Sequence, residues 1–272
     1  MNRLCVHSIT TKPWSLEECL RHYPAAGVSA LTLWRNHLVG RDATEVGRQV
    51  REAGLELTSL CRGGFFPAAD QAGRQAAIDD NLRCIEEAAA LGAGWVVLVC
   101  GALPGQSLDQ SRAQIAEGIA AVLPAAQAAG VALAIEPLHP MYADDRSAIN
   151  TMAQANALCD ELGSPRGLGI ALDVYHVWWD PDLRRQIQIS AQAGRLLAFH
   201  ICDWLTPTTD LLNDRGLMGE GCIPIAEISR WVDEAGFAGM REVEIFSNRR
   251  WAGDQQAWLG RIVDAYRCLY PR

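Results

Sequence analysis

Lysine is nearly missing from this 272-residue chain: of its 24 cationic residues, 23 are arginine and only Lys12 is lysine. A lysine that forms a Schiff base has to sit desolvated in a pocket. Lys12 lies in the polar stretch Thr10-Thr11-Lys12-Pro13, so lysine-dependent aldolase chemistry is set aside. Long apolar runs are wanting too. No stretch approaches the roughly 18 uninterrupted apolar residues of a membrane span, and Met1 to Thr10 carries no signal-peptide core. The nine cysteines form no C-x-x-C pair, which argues against a secreted disulfide scaffold and a cysteine-rich zinc site. Cys5, Cys61, Cys100 and Cys202 fall in apolar segments, the setting of small buried hydrophobes in a reducing cytosol. With a net charge of −8 and no basic run, the clustered cations that neutralise a phosphate backbone are absent. The expectation is a cytoplasmic protein with neither a nucleic-acid nor a membrane partner.

The chain is 49% apolar and 21% charged, an ordinary globular balance, and long enough to bury a core without disulfides or a structural metal. Short apolar runs alternate with longer amphipathic segments almost from end to end. Strands are predicted at 4–7, 30–34, 56–61, 95–100, 131–136, 168–173, 196–202 and 242–246. Helical patterns occupy 15–22, 42–53, 70–91, 107–129, 147–162, 223–235 and 254–269. Ser15, Asp42, Asp70 and Asp109 are candidate N-caps, while Gly27, Gly54, Gly92, Gly130 and Gly236 sit where helices would stop before the next strand. Strand and helix in alternation mean parallel pairing with crossover helices. Eight such units in this length predict a single-domain (β/α)8 TIM barrel spanning 1–272. The rival open doubly wound sheet would carry a glycine-rich phosphate loop after an early strand, and neither G-x-G-x-x-G nor G-x-x-x-x-G-K-S/T is there.

In such a barrel the functional groups sit at the C-terminal ends of the strands. The fifth predicted strand ends Ala134-Ile135-Glu136, the sixth Ala171-Leu172-Asp173, the seventh contains His200, and the eighth reads Glu242-Val243-Glu244-Ile245-Phe246. Glu136, Asp173, His200 and Glu244 are 37, 27 and 44 residues apart, one βα unit each. Three carboxylates aimed into one barrel mouth need compensation, since burying each alone costs several kcal/mol. One divalent cation supplies it, and two Glu, one Asp and one His form an N/O donor set suited to Mn, Co, Zn or Mg. Glu242 and Glu244 share a strand face; Glu244, nearer the C-terminal end, is the preferred ligand. His7 ends the first strand without an H-x-H partner, which argues against an amidohydrolase-type metal barrel. Trp34, like Trp14, Trp178, Trp179 and Trp204, follows a strand, where it could stack on a sugar face or simply pack.

The series Ile135-Glu136-Pro137-Leu138, Leu172-Asp173 with His176, His200 with Asp203, Asp214 through Gly221, and Val243-Glu244-Ile245-Phe246 resembles the xylose isomerase-like superfamily of TIM barrels. Within it the likeness is to sugar isomerases and epimerases of the D-tagatose 3-epimerase and 2-keto-myo-inositol isomerase type. The resemblance implies one divalent metal bound by Glu136, Asp173, His200 and Glu244. It further implies that Glu136 and Glu244 act as acid and base, that His176 contacts substrate oxygens, and that Arg215 binds substrate near the reacting carbons. His7 and Trp34 complete the expected substrate side. The chain departs from the epimerases at His139, near where they carry an Asn, and at 204–213, which lengthens the loop before Asp214.

The chemistry expected of this set is proton removal next to a ketose, keto-inositol or related carbonyl, with the resulting enediolate stabilised by the metal. The substrate is then a small sugar or polyol derivative; Arg62, Arg146 and Arg215 follow strands, which leaves a phosphorylated one open, and a homo-oligomer is equally open. Two other reactions compete. A metal-dependent dehydratase or lyase shares the same intermediate but loses a β-hydroxyl. An endonuclease IV-like hydrolase needs a three-metal cluster with more ligands than six histidines and this charge balance favour.

Overall fold

The computed structural model describes residues 3–271; Met1, Asn2 and Arg272, the outermost residues of the predicted domain, lie outside them. Eight short strands pair in parallel: β1 (Leu4–His7), β2 (Ala30–Trp34), β3 (Glu56–Gly64), β4 (Trp95–Val99), β5 (Ala132–Ile135), β6 (Leu168–Asp173), β7 (Leu196–Ile201) and β10 (Arg241–Val243). They close in the order β1-β10-β7-β6-β5-β4-β3-β2, a single-domain (β/α)8 barrel. The intervening β8 (Asp203–Trp204) and β9 (Arg215–Gly216) form a separate antiparallel ribbon in the connection after β7.

The crossover helices are α1 (Leu16–Ala25), α2 (Ala43–Glu52), α3 (Gln71–Leu91), α4 (Leu108–Ala129), α5 (Met152–Glu161), the single turn α6 (Val174–Val177), α7 (Leu183–Gln192), α8 (Ile225–Glu234), the short α9 (Asn248–Trp251) and α10 (Gln255–Leu269). Side-chain caps start most of them. Ser15 and Glu18 form a reciprocal capping box on α1, and Asp42 and Asp70 cap α2 and α3. For α4 the cap is Ser107, not the predicted Asp109, which sits inside the first turn where a carboxylate still favours the helix dipole. All five predicted stop glycines have positive φ. The helix predicted over 147–162 begins only at Met152, capped by Thr151. Among the described residues no helix is long and apolar enough to cross a membrane.

Side-chain parity along each strand builds two apolar layers. Leu133, Ile135, Ile170, Leu172, Phe199, Ile201 and Val243 belong to the large core between strands and helices. Cys61, Val97, Ala134, Ala171 and Ala198 form a second, smaller cluster on the opposite strand face, within the barrel. The period of two then fixes the next positions: Glu136 follows Ala134 on the inner face, Asp173 follows Ala171, and His200 follows Ala198. The alanines are small, and room is left above them for polar groups. β5 stops at Ile135 and β10 at Val243, so Glu136 and Glu244 stand one residue past their strands rather than inside them as predicted.

Candidate metal centre and substrate cleft

Four side chains from four adjacent strand ends meet inside the mouth. Ligand atoms of Glu136, Asp173, His200 and Glu244 all lie within 4.8 Å of one another, and all four residues are buried. His200 Nδ1 is 3.0 Å from Glu136 Oε1, while its Nε2 faces Glu242 Oε2 at 3.9 Å. The imidazole therefore turns one nitrogen to the cluster and has a carboxylate behind the other, the arrangement that orients metal-binding histidines. Three carboxylates and an imidazole, buried and convergent, are a donor set that fits a divalent cation.

Beneath this cluster lies a second polar layer. Glu242 is fully buried and accepts from Thr32 Oγ1 at 2.6 Å, with His7 Nε2 at 3.2 Å. His7 Nδ1 lies 3.0 Å from Glu244 Oε1, so one imidazole spans both glutamates of the strand end. Burial opposes charge on His7, but Glu244 and Glu242 outweigh it and raise the group to about 9. Glu244 is held well below the usual carboxylate range: burial works against the ion, and His7 and Arg215 beside it prevail. For Asp173 burial dominates and repulsion from Glu244 and Glu136 adds to it, so its carboxyl is raised despite Arg215. The preference for Glu244 over Glu242 thus corresponds to depth: both point inward, one at the mouth and one below it.

Arg215 sits in the middle of this charge. Its Nη1 donates to Asp173 Oδ2 at 2.8 Å and to Glu244 Oε2 at 2.9 Å, and its face lies 4.4 Å from the Tyr175 ring. The nearby Asp214 is not its partner; that carboxylate accepts from Thr209 N and Oγ1. Arg215 Nη2 is 3.2 Å from His176 Nε2. An arginine only donates, so His176 Nε2 accepts and the ring proton resides on Nδ1. Burial and then the Arg215 charge push His176 well below the ordinary imidazole range, leaving it neutral. His176 is buried on α6, not a solvated loop residue, and its Nδ1 has no protein partner.

The Asp214–Gly221 glycine motif is a scaffold for that arginine. Asp203, 1% exposed, accepts from the backbone N–H groups of Trp204, Gly219, Gly221 and Ile223. A Cβ on Gly221 would meet Trp204 O at 2.1 Å, so the knot closes only around glycine. The Asp203 of the quoted motif is accordingly no part of the cluster. Asp203→Ala is expected to cost about 2 kcal/mol or more, because several buried donors lose their acceptor; urea denaturation checks it, and an unchanged midpoint would contradict this role.

The cleft above the cluster is lined by Trp34, Cys61, Arg62, Leu138, Tyr142, Arg146, His176, Arg215 and Phe246 together with Glu136 and Glu244. Of the five tryptophans expected after strands, Trp34 alone lines it. Trp34 packs edge-on to Phe246 at 5.2 Å and its indole N–H is unpartnered. Trp14 stacks on His22, and Trp204 stacks on Tyr175 beside Trp178 and His139. His139 caps the 140–142 turn through Nδ1 and does not line the cleft. Tyr142 joins the lining without a signal in the sequence, since it neither ends an apolar run with a charge nor belongs to one of the motifs.

A family model described as xylose isomerase-like TIM barrel matches residues 21–262, and the chain belongs to that family. Among solved structures, protein SMc04130 from Sinorhizobium meliloti 1021 is 49% identical over 98% of both chains, with a TM-score of 0.94. IolI protein with a binding zinc atom superposes with a TM-score of 0.82 at 18% identity, covering 99% of this chain and 100% of its own. The 3-keto-D-glucoside 4-epimerase YcjR from E. coli does so at 0.80 and 20% identity, covering 99% of each. No curated protein matches the chain.

Proposed function

We propose that the chain is a divalent-metal-dependent isomerase or epimerase acting on a ketose, keto-inositol or related sugar. The observation that carries this is the meeting of Glu136, Asp173, His200 and Glu244 within 4.8 Å at the barrel mouth. Those four residues would hold the metal; when bound, a divalent cation there supplies Lewis-acid stabilisation of negative charge developing on a substrate carbonyl oxygen. IolI, which binds a zinc atom, and YcjR, a 3-keto-D-glucoside 4-epimerase, support this reading.

The remaining work belongs to the chain's own groups. Glu136 and Glu244 both face the cleft, and one carboxylate takes the proton from the carbon beside the carbonyl while the other returns a proton. Return to the same carbon from the opposite face is epimerisation; return to the neighbouring carbon is isomerisation. His176, neutral and carrying its proton on Nδ1, is a donor for a substrate hydroxyl or carbonyl oxygen. Arg215 fixes Asp173 and Glu244 in place. Trp34 and Phe246 supply an aromatic wall for the apolar face of a sugar.

The test is a panel of ketoses in deuterated water with Mn2+, Co2+, Zn2+ or Mg2+, followed by NMR and mass spectrometry. Deuterium at carbon in a product that has not lost water is expected. Loss of water would replace the reading by a dehydratase, and no incorporation with any ketose, neutral, acidic or phosphorylated, would overturn it. A metal at 100-fold its Kd adds about 2.7 kcal/mol of stability. Chelation is therefore expected to lower the Tm by roughly 5–10 °C, read by calorimetry before and after EDTA.

A further inference from the structure

We infer that the substrate of this site carries an oxyanion, a carboxylate or a phosphate, gripped by Arg62 and Arg146. This rests on the sugar chemistry proposed above and adds its substrate class. Both arginines line the cleft that holds Glu136 and Glu244. Arg62 is on β3 directly after the inward Cys61, and Arg146 ends the turn after β5. That turn is firmly placed: Arg146 N donates to Tyr142 O at 3.0 Å, and Gly101 N donates to Arg146 O at 2.9 Å.

What sets the two apart is their lack of partners. Buried and half-buried arginines elsewhere in the chain are neutralised, Arg35 by Asp80 and Glu87, Arg195 by Asp160, and Arg215 by Asp173 and Glu244. Among the described residues neither Arg62 nor Arg146 has a side-chain hydrogen bond or ion pair, and Arg146 Nε is buried with no acceptor. Glu136 and Glu244 attract Arg62 through space, but no carboxylate of the cluster reaches either arginine as a hydrogen bond or ion pair; Arg215 holds Asp173 and Glu244 while His200 holds Glu136. The pair is also mutually repulsive: burial first, and Arg146 next, hold Arg62 below the ordinary guanidinium range.

Each guanidinium is nevertheless fixed by an aromatic face, Arg62 over Phe65 at 4.3 Å and Arg146 over Tyr142 at 5.4 Å. Phe65 adopts φ 55, a left-handed conformation that a bulky residue rarely holds without a reason. Stacking occupies the flat of each group and leaves its N–H edge free. Two such forks beside a catalytic cluster match the planar, bidentate recognition of a carboxylate or phosphate.

Three unreactive polyols separate the cases: glucitol, gluconate and glucitol 6-phosphate, titrated by calorimetry into the purified chain with Mn2+ present. One of the anions is expected to bind about tenfold or more tighter than glucitol. Gluconate preferred identifies a carboxylate, and glucitol 6-phosphate preferred identifies a phosphate. Arg62→Gln and Arg146→Gln should each remove most of that preference, read as the ratio of anion to glucitol affinity within each variant. If either Gln variant fails to fold, Arg62→Lys or Arg146→Lys keeps the charge without the fork and should lose part of the preference. Equal affinity for all three polyols, no binding of either anion, or a preference that survives both substitutions overturns the inference. Deuterium entering a neutral ketose as fast as both a keto acid and a phosphorylated ketose would remove this inference and keep the proton-transfer reading. Arginine-dependent anion binding without deuterium entry into any substrate would do the reverse.

Discussion

Glu136→Gln is expected to abolish solvent-deuterium exchange at the substrate carbon, a loss on the order of 10²–10⁴-fold, with the fold retained. The side chain stands one residue past β5, on the inner face above Ala134, and is 5% exposed. Glutamine has the same shape and keeps an oxygen toward His200 Nδ1, now 3.0 Å from the carboxylate, so packing and the neighbouring hydrogen bond survive. What disappears is a group able to accept a proton from carbon. Metal content is measured alongside, because an amide oxygen is a weaker donor than a carboxylate and a lost cation would mimic a lost base. The informative result is a variant that keeps its circular dichroism and its metal yet shows no exchange by NMR. Exchange within a few-fold of the parent would assign proton transfer elsewhere, Glu244 being the alternative carboxylate on the cleft.

Strand parity made the barrel and its inward acids readable. Ala134-Ile135-Glu136, Ala171-Leu172-Asp173 and Ala198-Phe199-His200 each repeat small, large, polar, and in a strand that order places the first and third residues on one face. The α7 helix escaped the same kind of reading because its buried face is half polar. Leu183 and Ile187 are buried beside Gln186 and Ser190, which are bonded to Asn156 on α5. A polar seam of that kind erases the apolar period while packing as well as a hydrophobic one. Partner choice was the other blind spot. Local sequence offers Asp214 to Arg215, whereas the fold delivers Asp173 from the end of β6 and Glu244 from just past β10. Likewise Asp203, which accompanies His200 in the motif, spends its oxygens on backbone N–H groups up to 20 residues away. Tryptophans after strands say little singly, since only the three-dimensional course of each loop decides whether the ring enters the cleft or roofs a helix.

Arg215→Met should destabilise the metal-free protein by about 3–5 kcal/mol, the range for removing one partner of a buried ion pair. The guanidinium is 3% exposed and contacts Asp173 and Glu244 through a single nitrogen, with Tyr175 and Phe246 against its faces. Methionine fills much of the apolar volume, so the aromatic packing is largely conserved and the cost isolates the charge. Two carboxylates are then left facing each other in a buried site whose imidazoles, His7 and His200, are already engaged by Glu242, Glu244 and Glu136. A divalent cation bound by those same carboxylates would replace part of the missing positive charge. The expected pattern is therefore a large loss in EDTA and a smaller one in Mn2+, followed by guanidinium denaturation of parent and variant under both conditions. A loss below about 1 kcal/mol in EDTA would mean that the carboxylates do not depend on Arg215. A variant that gains no more from Mn2+ than the parent does would separate the arginine's partners from the cation's ligands, and with that the four-residue centre itself would have to be redrawn.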